Sequence, residues 1–178
     1  YYPINRTYIS SGFFSKEIFH SISPTKYAKL ISSIAVFYDV PDPKLFANDI
    51  ASILDKNGVW VMEQSYLPLL IRDLAFDSIC HEHPAYYGFK QIKLAAEDAN
   101  LRVYNVDTNS MNGGSLRVFL CHSNSNRLAN KNNINRIEKL ELNSKIDNHS
   151  TFIRFKEKIM SIGEKLVYFI KQEKKKGK

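Results

Sequence analysis

The sequence predicts an α/β fold in which parallel strands joined through helices end in an antiparallel hairpin, with a long helix after it. Three observations carry that prediction. Apolar runs of strand length alternate with segments of helical periodicity up to about residue 122. Two runs of period-two alternation flank Asn112-Gly113-Gly114. Phe152, Phe155, Ile159, Ile162, Leu166 and Phe169 recur at spacings of three and four, which makes one apolar stripe on a helix over residues 151–171.

In chain order, residues 29–37 form an apolar run that breaks at Tyr38-Asp39-Val40-Pro41. Residues 43–54 then carry Leu45, Phe46, Ile50, Ile53 and Leu54 at helical spacing, with Asp42 as the N-cap. Asn57-Gly58 is expected to end that helix, and Val59-Trp60-Val61-Met62 reads as a buried strand. Strand–helix–strand units produce parallel pairs with a right-handed crossover. Residues 89–100 return to helical spacing through Ile92, Leu94, Ala95 and Ala96. Residues 101–106 and 116–121 alternate with period two, and the two glycines between them supply the positive φ that a tight connection needs. Residues 123–148, rich in Asn and Ser, read as a linker with one polar helix at about 134–142. No internal repeat is visible.

At 178 residues, 44% of them hydrophobic, the chain is long enough for one ordinary domain with its own core. No window approaches the roughly 18 consecutive apolar residues of a membrane helix, so no membrane partner is expected. The first residues, Tyr1 to Arg6, lack a basic region followed by an apolar stretch, and no secretory signal is expected. Two cysteines, Cys80 and Cys121, make no disulfide framework, which points to a reducing cytoplasm. The net charge of +7 is concentrated: nine Lys/Arg against three Glu between Ser150 and Lys178 leave +6 there and +1 elsewhere. A solvated helical face explains this better than a nucleic-acid footprint, although a basic nucleic-acid-binding module using residues 150–178 is the rival reading.

The densest chemistry lies in Cys80-His81-Glu82-His83, followed by Pro84-Ala85-Tyr86-Tyr87. Only five histidines occur in the chain, and two are here. An imidazole titrates near neutrality, so this mixture of imidazole, carboxylate and phenol suits proton transfer with hydrogen bonds to an oxyanion. On an extended segment His81 and His83 would share one side, whereas on a tight turn the group could converge. A metal-dependent hydrolase built on His81 and His83 is the second rival, but the familiar zinc spacings are missing. Glu63-Gln64-Ser65-Tyr66 follows the second strand and Phe37-Tyr38-Asp39 the first; ligands in open α/β sheets bind beyond such carboxyl ends. For Glu63 to Tyr66 a helix cap and first turn is an equal alternative, and Asn112-Gly113-Gly114-Ser115 is a turn before it is a ligand contact. No Gly-x-Gly-x-x-Gly turn is present.

Four segments taken together resemble the S-adenosylmethionine-dependent sugar C-methyltransferases of deoxysugar biosynthesis, over about residues 13–121. They are Ser33-Ile34-Ala35-Val36-Phe37-Tyr38-Asp39-Val40-Pro41-Asp42-Pro43, Gly58-Val59-Trp60-Val61-Met62-Glu63-Gln64-Ser65-Tyr66, Phe76-Asp77-Ser78-Ile79-Cys80-His81-Glu82-His83 with Tyr86-Tyr87, and Asn112-Gly113-Gly114-Ser115-Leu116-Arg117. The resemblance implies the later half of a Rossmann-like methyltransferase sheet, and a chain that is an internal fragment of a three-part protein. A small zinc-binding domain and the glycine-rich cofactor loop would precede Tyr1. A C-terminal α/β domain would begin near Lys176-Gly177-Lys178. Residues 1–122 would then be a partial methyltransferase domain, and residues 123–178 a linker and helical segment leading to the missing C-terminal domain. Zinc would belong only to the absent part, no metal ligands are expected here, and the fragment alone is expected to be inactive.

The implied reaction methylates carbon three of a nucleotide-linked 4-keto-6-deoxyhexose. A base removes the hydrogen acidified by the neighbouring ketone, and the enolate carbon attacks the sulfonium methyl. His83 falls where the family's proposed base sits, with Glu82 as its partner and His81 and Cys80 beside it. Cys80 stands where many members have tyrosine, and Asn112 where many have histidine. Ser33, Ala35 and Phe37 would lie along the methionine part of S-adenosylmethionine. Glu63, Tyr66, Tyr86, Tyr87 and Asn112 would line the substrate, and Arg117 would face the nucleotide diphosphate.

Overall fold

The computed structural model describes residues 7–177, so the opening residues 1–6 and the terminal Lys178 lie outside it. The chain runs α1 (Lys16–Ile22), β1 (Ala28–Ile34), α2 (Pro43–Ile53), β2 (Leu54–Ser65), α3 (Leu67–Asp73), α4 (Phe89–Asp98), β3 (Leu101–Asn109), β4 (Ser115–His122), α5 (Lys131–Ser144) and α6 (His149–Lys175), with short 3₁₀ turns at Phe76–Ser78 and Met111–Gly113. β1 and β2 pair in parallel, as the strand–helix–strand pattern predicts. The last strand returns between its predecessors, giving the order β1-β2-β4-β3 with β4 antiparallel to both neighbours. The sequence-predicted parallel pair and closing hairpin are both present.

Alternation along the strands sends Trp60, Met62, Val106, Leu116, Val118 and Leu120 to one face, where all are buried. Ile50 of α2, Phe89, Ile92 and Ala96 of α4, and Ile137 of α5 complete that core. The opposite face is more open, and Leu30 and Ile34 of β1 are exposed there.

Several boundaries differ from the sequence reading for identifiable reasons. β1 stops at Ile34 because Ala35 adopts a left-handed conformation (φ 54°), after which Phe37 turns into the core instead of extending the strand. Helix α2 begins after Asp42, whose carboxylate accepts from the Leu45 N–H at 2.9 Å, and ends at Ile53. Asn57-Gly58 does not terminate it; the pair lies inside β2 at a register irregularity against β1. A Cβ on Gly58 would sit 2.8 Å from the Ala28 carbonyl oxygen, so glycine permits that close approach. The hairpin turn also needs its glycines: Gly113 and Gly114 have φ of 75° and 120°, and a Cβ on Gly114 would meet Leu69 of α3 at 2.7 Å.

Helix α5, foreseen as one polar helix within a connecting segment, packs on the sheet with Ile137 fully buried. On α6, Phe155 is buried and Ile159 half-buried, while Phe152, Ile162, Leu166 and Phe169 of the same stripe are exposed. No helix among the described residues is long and apolar enough to cross a membrane.

Candidate active site

The histidine cluster is a tight turn, not an extended segment. The His83 N–H donates to the Cys80 carbonyl at 3.3 Å, and the loop before it is wound by the 3₁₀ turn at Phe76–Ser78. Tyr86 staples the two ends. Its hydroxyl donates to the Ser78 carbonyl at 3.2 Å and accepts the Cys80 N–H at 3.2 Å. Of the four clustered residues, only His83 turns inward.

The His83 ring is fixed on three sides. Its Nδ1 lies 2.9 Å from the Ser78 carbonyl oxygen; a carbonyl can only accept, so Nδ1 carries the proton. The Tyr38 ring packs against the imidazole at a centroid distance of 4.4 Å, and Tyr86 stands edge-on at 6.2 Å. Nε2 is left with Asp39 Oδ1 at 4.0 Å, and the His83 side chain keeps 21% of its surface exposed. Burial, reinforced by Asp39 and then by Cys80, holds the Tyr38 phenol above its ordinary pKa, so it stays protonated beside the ring. Asp39 is carried there by the bend after β1, with its N–H donating to the Val36 carbonyl at 2.9 Å.

Cys80, His81 and Glu82 are exposed on the same loop. The expected Glu82–His83 partnership does not form; the carboxylate next to the ring is that of Asp39, because the turn points Glu82 outward. Both cysteines are free thiols. Among the described residues, no group of three or more His, Cys, Asp or Glu is arranged to hold a metal ion.

The remaining expected site residues divide between core and rim. Tyr66 is a correction: it is 0% exposed, and its hydroxyl donates to Glu141 Oε2 at 3.0 Å, so it is a core residue heading α3 and not part of a substrate wall. Glu141 also accepts the Phe89 N–H, and the Lys90 N–H at 3.0 Å, thereby capping α4. Burial and the adjacent Glu141 push the Tyr66 phenol strongly upward. Tyr87 packs its half-buried ring on Phe37 at 5.2 Å, and burial raises its phenol too. Tyr86 is engaged by the loop staple described above.

Of the residues expected along the cofactor, Ser33 and Phe37 direct their side chains into the core. The Ser33 hydroxyl accepts from Trp60 Nε1 at 2.8 Å, and Phe37 is fully buried. Of the three, only Ala35 is exposed, just past the carboxyl end of β1, where its N–H donates to the Glu63 carbonyl at 2.8 Å. Glu63 is buried and paired on both oxygens, accepting from Asn109 Nδ2 at 3.0 Å and Arg117 Nε at 2.5 Å. It therefore orients Arg117, whose side chain is about half exposed at the same end of the sheet. Asn112 sits exposed in the hairpin turn at φ 49°.

Sequence reasoning did not assign roles to Asp39 or Gln64. Gln64 is 2% exposed at the carboxyl end of β2, and neither of its amide atoms has a hydrogen-bond partner among the described residues. An amide so buried costs about 1–3 kcal/mol if nothing completes it. The available signal was position alone: Asp39 follows the end of β1, and Gln64 lies in the last residues of β2.

Residues 110–178 match the family model of the C-methyltransferase C-terminal domain, a match that opens at the hairpin turn and takes in β4, α5 and α6. Over 92 residues the chain is 33% identical to the C-methyltransferase NovU of Streptomyces niveus, covering 52% of this chain and 22% of that protein. Over these stretches the chain is similar to C-methyltransferases. It spans about a fifth of the length of the curated relative it matches. Among solved structures it is similar to the Haloferax volcanii complex between the Trm112 methyltransferase activator and a putative methyltransferase, at 16% identity and a TM-score of 0.46, with 55% of each chain covered. It is also similar to CalO1, a methyltransferase in calicheamicin biosynthesis solved with S-adenosylhomocysteine, at 10% identity and a TM-score of 0.46, over 55% of this chain and 31% of that one.

Proposed function

We propose that this chain is part of an S-adenosylmethionine-dependent C-methyltransferase that acts on a nucleotide-linked 4-keto-deoxysugar, with His83 as the base. The observation that carries the reading is the state of the His83 ring. Its Nδ1–H is tied to the Ser78 carbonyl, and its Nε2 is the open nitrogen of a ring kept partly accessible at the carboxyl edge of the sheet. The kinship with C-methyltransferases supplies the reaction class.

Exposed at the carboxyl end of β1 and small in side chain, Ala35 suits the approach of a cofactor there. In this reading Ala35 would hold S-adenosylmethionine jointly with parts of a longer protein, and the cofactor's contribution is an electrophilic methyl group. His83 does the acid–base work. Its Nε2 accepts the proton from the substrate carbon next to the ketone, and the C–H electron pair moves into the enolate. Placing a base on a fixed ring removes the orientational freedom that proton abstraction would otherwise have to overcome. Tyr38, kept protonated, packs against the face of the ring. Arg117, braced by Glu63, offers a cation toward the substrate's diphosphate.

Residues 1–122 are read as part of the catalytic domain, and residues 123–178 as the segment leading out of it, with α5 folded back onto the sheet. The reduced thiols suit a cytoplasmic setting.

The test is to incubate the full-length protein containing this chain with S-adenosylmethionine and a nucleotide-linked 4-keto-6-deoxyhexose, then locate the added methyl group by NMR. A methyl on the ring carbon next to the ketone is expected. Methylation on oxygen, or no turnover of such sugars, contradicts the reading.

A further inference from the structure

We propose that Asp39, and not the neighbouring Glu82, is the residue that positions and charges the His83 base. The inference rests on the reading of His83 as a base, but its structural half stands independently. Asp39 Oδ1 lies 4.0 Å from His83 Nε2, on the opposite edge of the ring from the Ser78 carbonyl. The imidazole is therefore bracketed along its length: a fixed acceptor holds the Nδ1 proton, and a carboxylate waits at the nitrogen where a new proton arrives. Tyr38, adjacent to Asp39 in sequence, packs on the face of the same ring at 4.4 Å, so one bend after β1 supplies both the stacking surface and the charge. That bend is pinned by the Asp39 N–H to Val36 carbonyl bond of 2.9 Å and by the left-handed Ala35. Glu82, though next to His83 in the chain, is exposed and turned away.

The chemistry follows from the bracket. When the substrate C–H bond breaks, its electrons stay with the carbon as the enolate and its proton goes to Nε2. The ring becomes an imidazolium cation with Asp39 as the nearby anion, and the proton later leaves to solvent. After the transfer the imidazolium and the Asp39 carboxylate are opposite charges about 4.0 Å apart, and they attract. Asp39 is a positioning residue in this scheme, acting on His83 and not on the substrate. The other groups around the ring are the phenols of Tyr38 and Tyr86, with Cys80 close enough to Tyr38 to act on it electrostatically.

The pairing can be tested on the chain itself with diethyl pyrocarbonate, which acylates unprotonated imidazole nitrogen. The rate at His83, resolved by tandem mass spectrometry at mildly acidic pH, is referenced to the exposed His81 of the same peptide. Asp39→Asn should raise the His83 rate about threefold relative to His81. Asp39→Glu should return it toward the parent value, and Glu82→Gln should move it less than Asp39→Asn does. A ratio unmoved by Asp39→Asn, or moved more by Glu82→Gln, overturns the pairing. In the full-length enzyme the same substitution should lower kcat about tenfold or more at nearly constant KM, with partial rescue by Asp39→Glu. A change confined to KM also counts against the proposal. Should the full-length enzyme turn over no ketosugar at all, the functional reading fails while the acylation ratios still decide whether Asp39 pairs with His83.

Discussion

Two clusters of polar side chains in this molecule look alike in composition and differ in what they leave open. At the α4–α5 junction, both oxygens of Glu141 are engaged, by the Tyr66 hydroxyl and by the Phe89 and Lys90 N–H groups. At the loop of residues 78–86, Ser78 and Tyr86 satisfy the backbone, yet Nε2 of His83 faces a carboxylate at 4.0 Å without closing a hydrogen bond. The first cluster is finished by the fold; the second leaves Nε2 open. Burial agrees with that division, since Tyr66 is 0% exposed whereas the His83 side chain retains 21%. A carboxylate and a phenol are therefore poor markers of a site until their hydrogen bonds have been followed.

The contrast breaks most easily at Glu141. Glu141→Ala leaves the Tyr66 hydroxyl and two helix N–H groups without their acceptor, and should cost about 3 kcal/mol in a denaturant melt. A loss below about 1 kcal/mol would mean the junction is better hydrated than its geometry implies.

Alkaline titration sharpens the same point. The fold favours the neutral Tyr66 phenol, so the folded pKa is raised above that of the unfolded chain. Its contribution is fully present below about pH 10 and is lost as pH rises above that value. Tyr38 and Tyr87 are raised as well and add to the slope. Stability measured from pH 8 upward should fall past that point, and Tyr66→Phe should flatten the decline.

The smallest effect concerns Gln64. Replacing its unpaired amide with the similarly shaped, apolar Gln64→Met should raise stability by about 1 kcal/mol in the same melts. If the melts instead show destabilisation, the amide has a partner in solution.

Most of the architecture was legible in the sequence, because most of it is periodic. The alternation in residues 101–106 and 116–121 marks β3 and β4, apolar spacing marks α2, α4 and α6, and α5 was visible only as a polar helix in a connecting segment. Helix α1, of seven residues, escaped because two turns give periodicity too little length to register, and α3, equally short, was foreseen only as the alternative reading of Glu63 to Tyr66 as a cap and first turn. The misplaced helix stop at Asn57-Gly58 has a different cause. Turn residues mark a break in regular pairing, and a bulge inside a strand breaks it as well as a loop does.

Part of the candidate site was legible. Residue type drew attention to His83, and strand ends drew attention to the segment carrying Asp39 that the structure brings beside it. The contact of Asp39 with His83 was hidden because it joins two loops that lie far apart in the sequence. Tyr66 misled for the converse reason: it also follows a strand end, but the chain turns there into α3 and takes the ring inward.

The central claim is that His83 Nε2 takes a proton from carbon. The most direct measurement is hydrogen exchange in deuterated water, with the full-length enzyme, S-adenosylhomocysteine in place of the methyl donor, and a nucleotide-linked 4-keto-6-deoxyhexose. The account predicts deuterium at the carbon next to the ketone with the parent enzyme, and at least a hundredfold slower exchange with a folded His83→Gln variant. Exchange that proceeds equally well in that variant would contradict it.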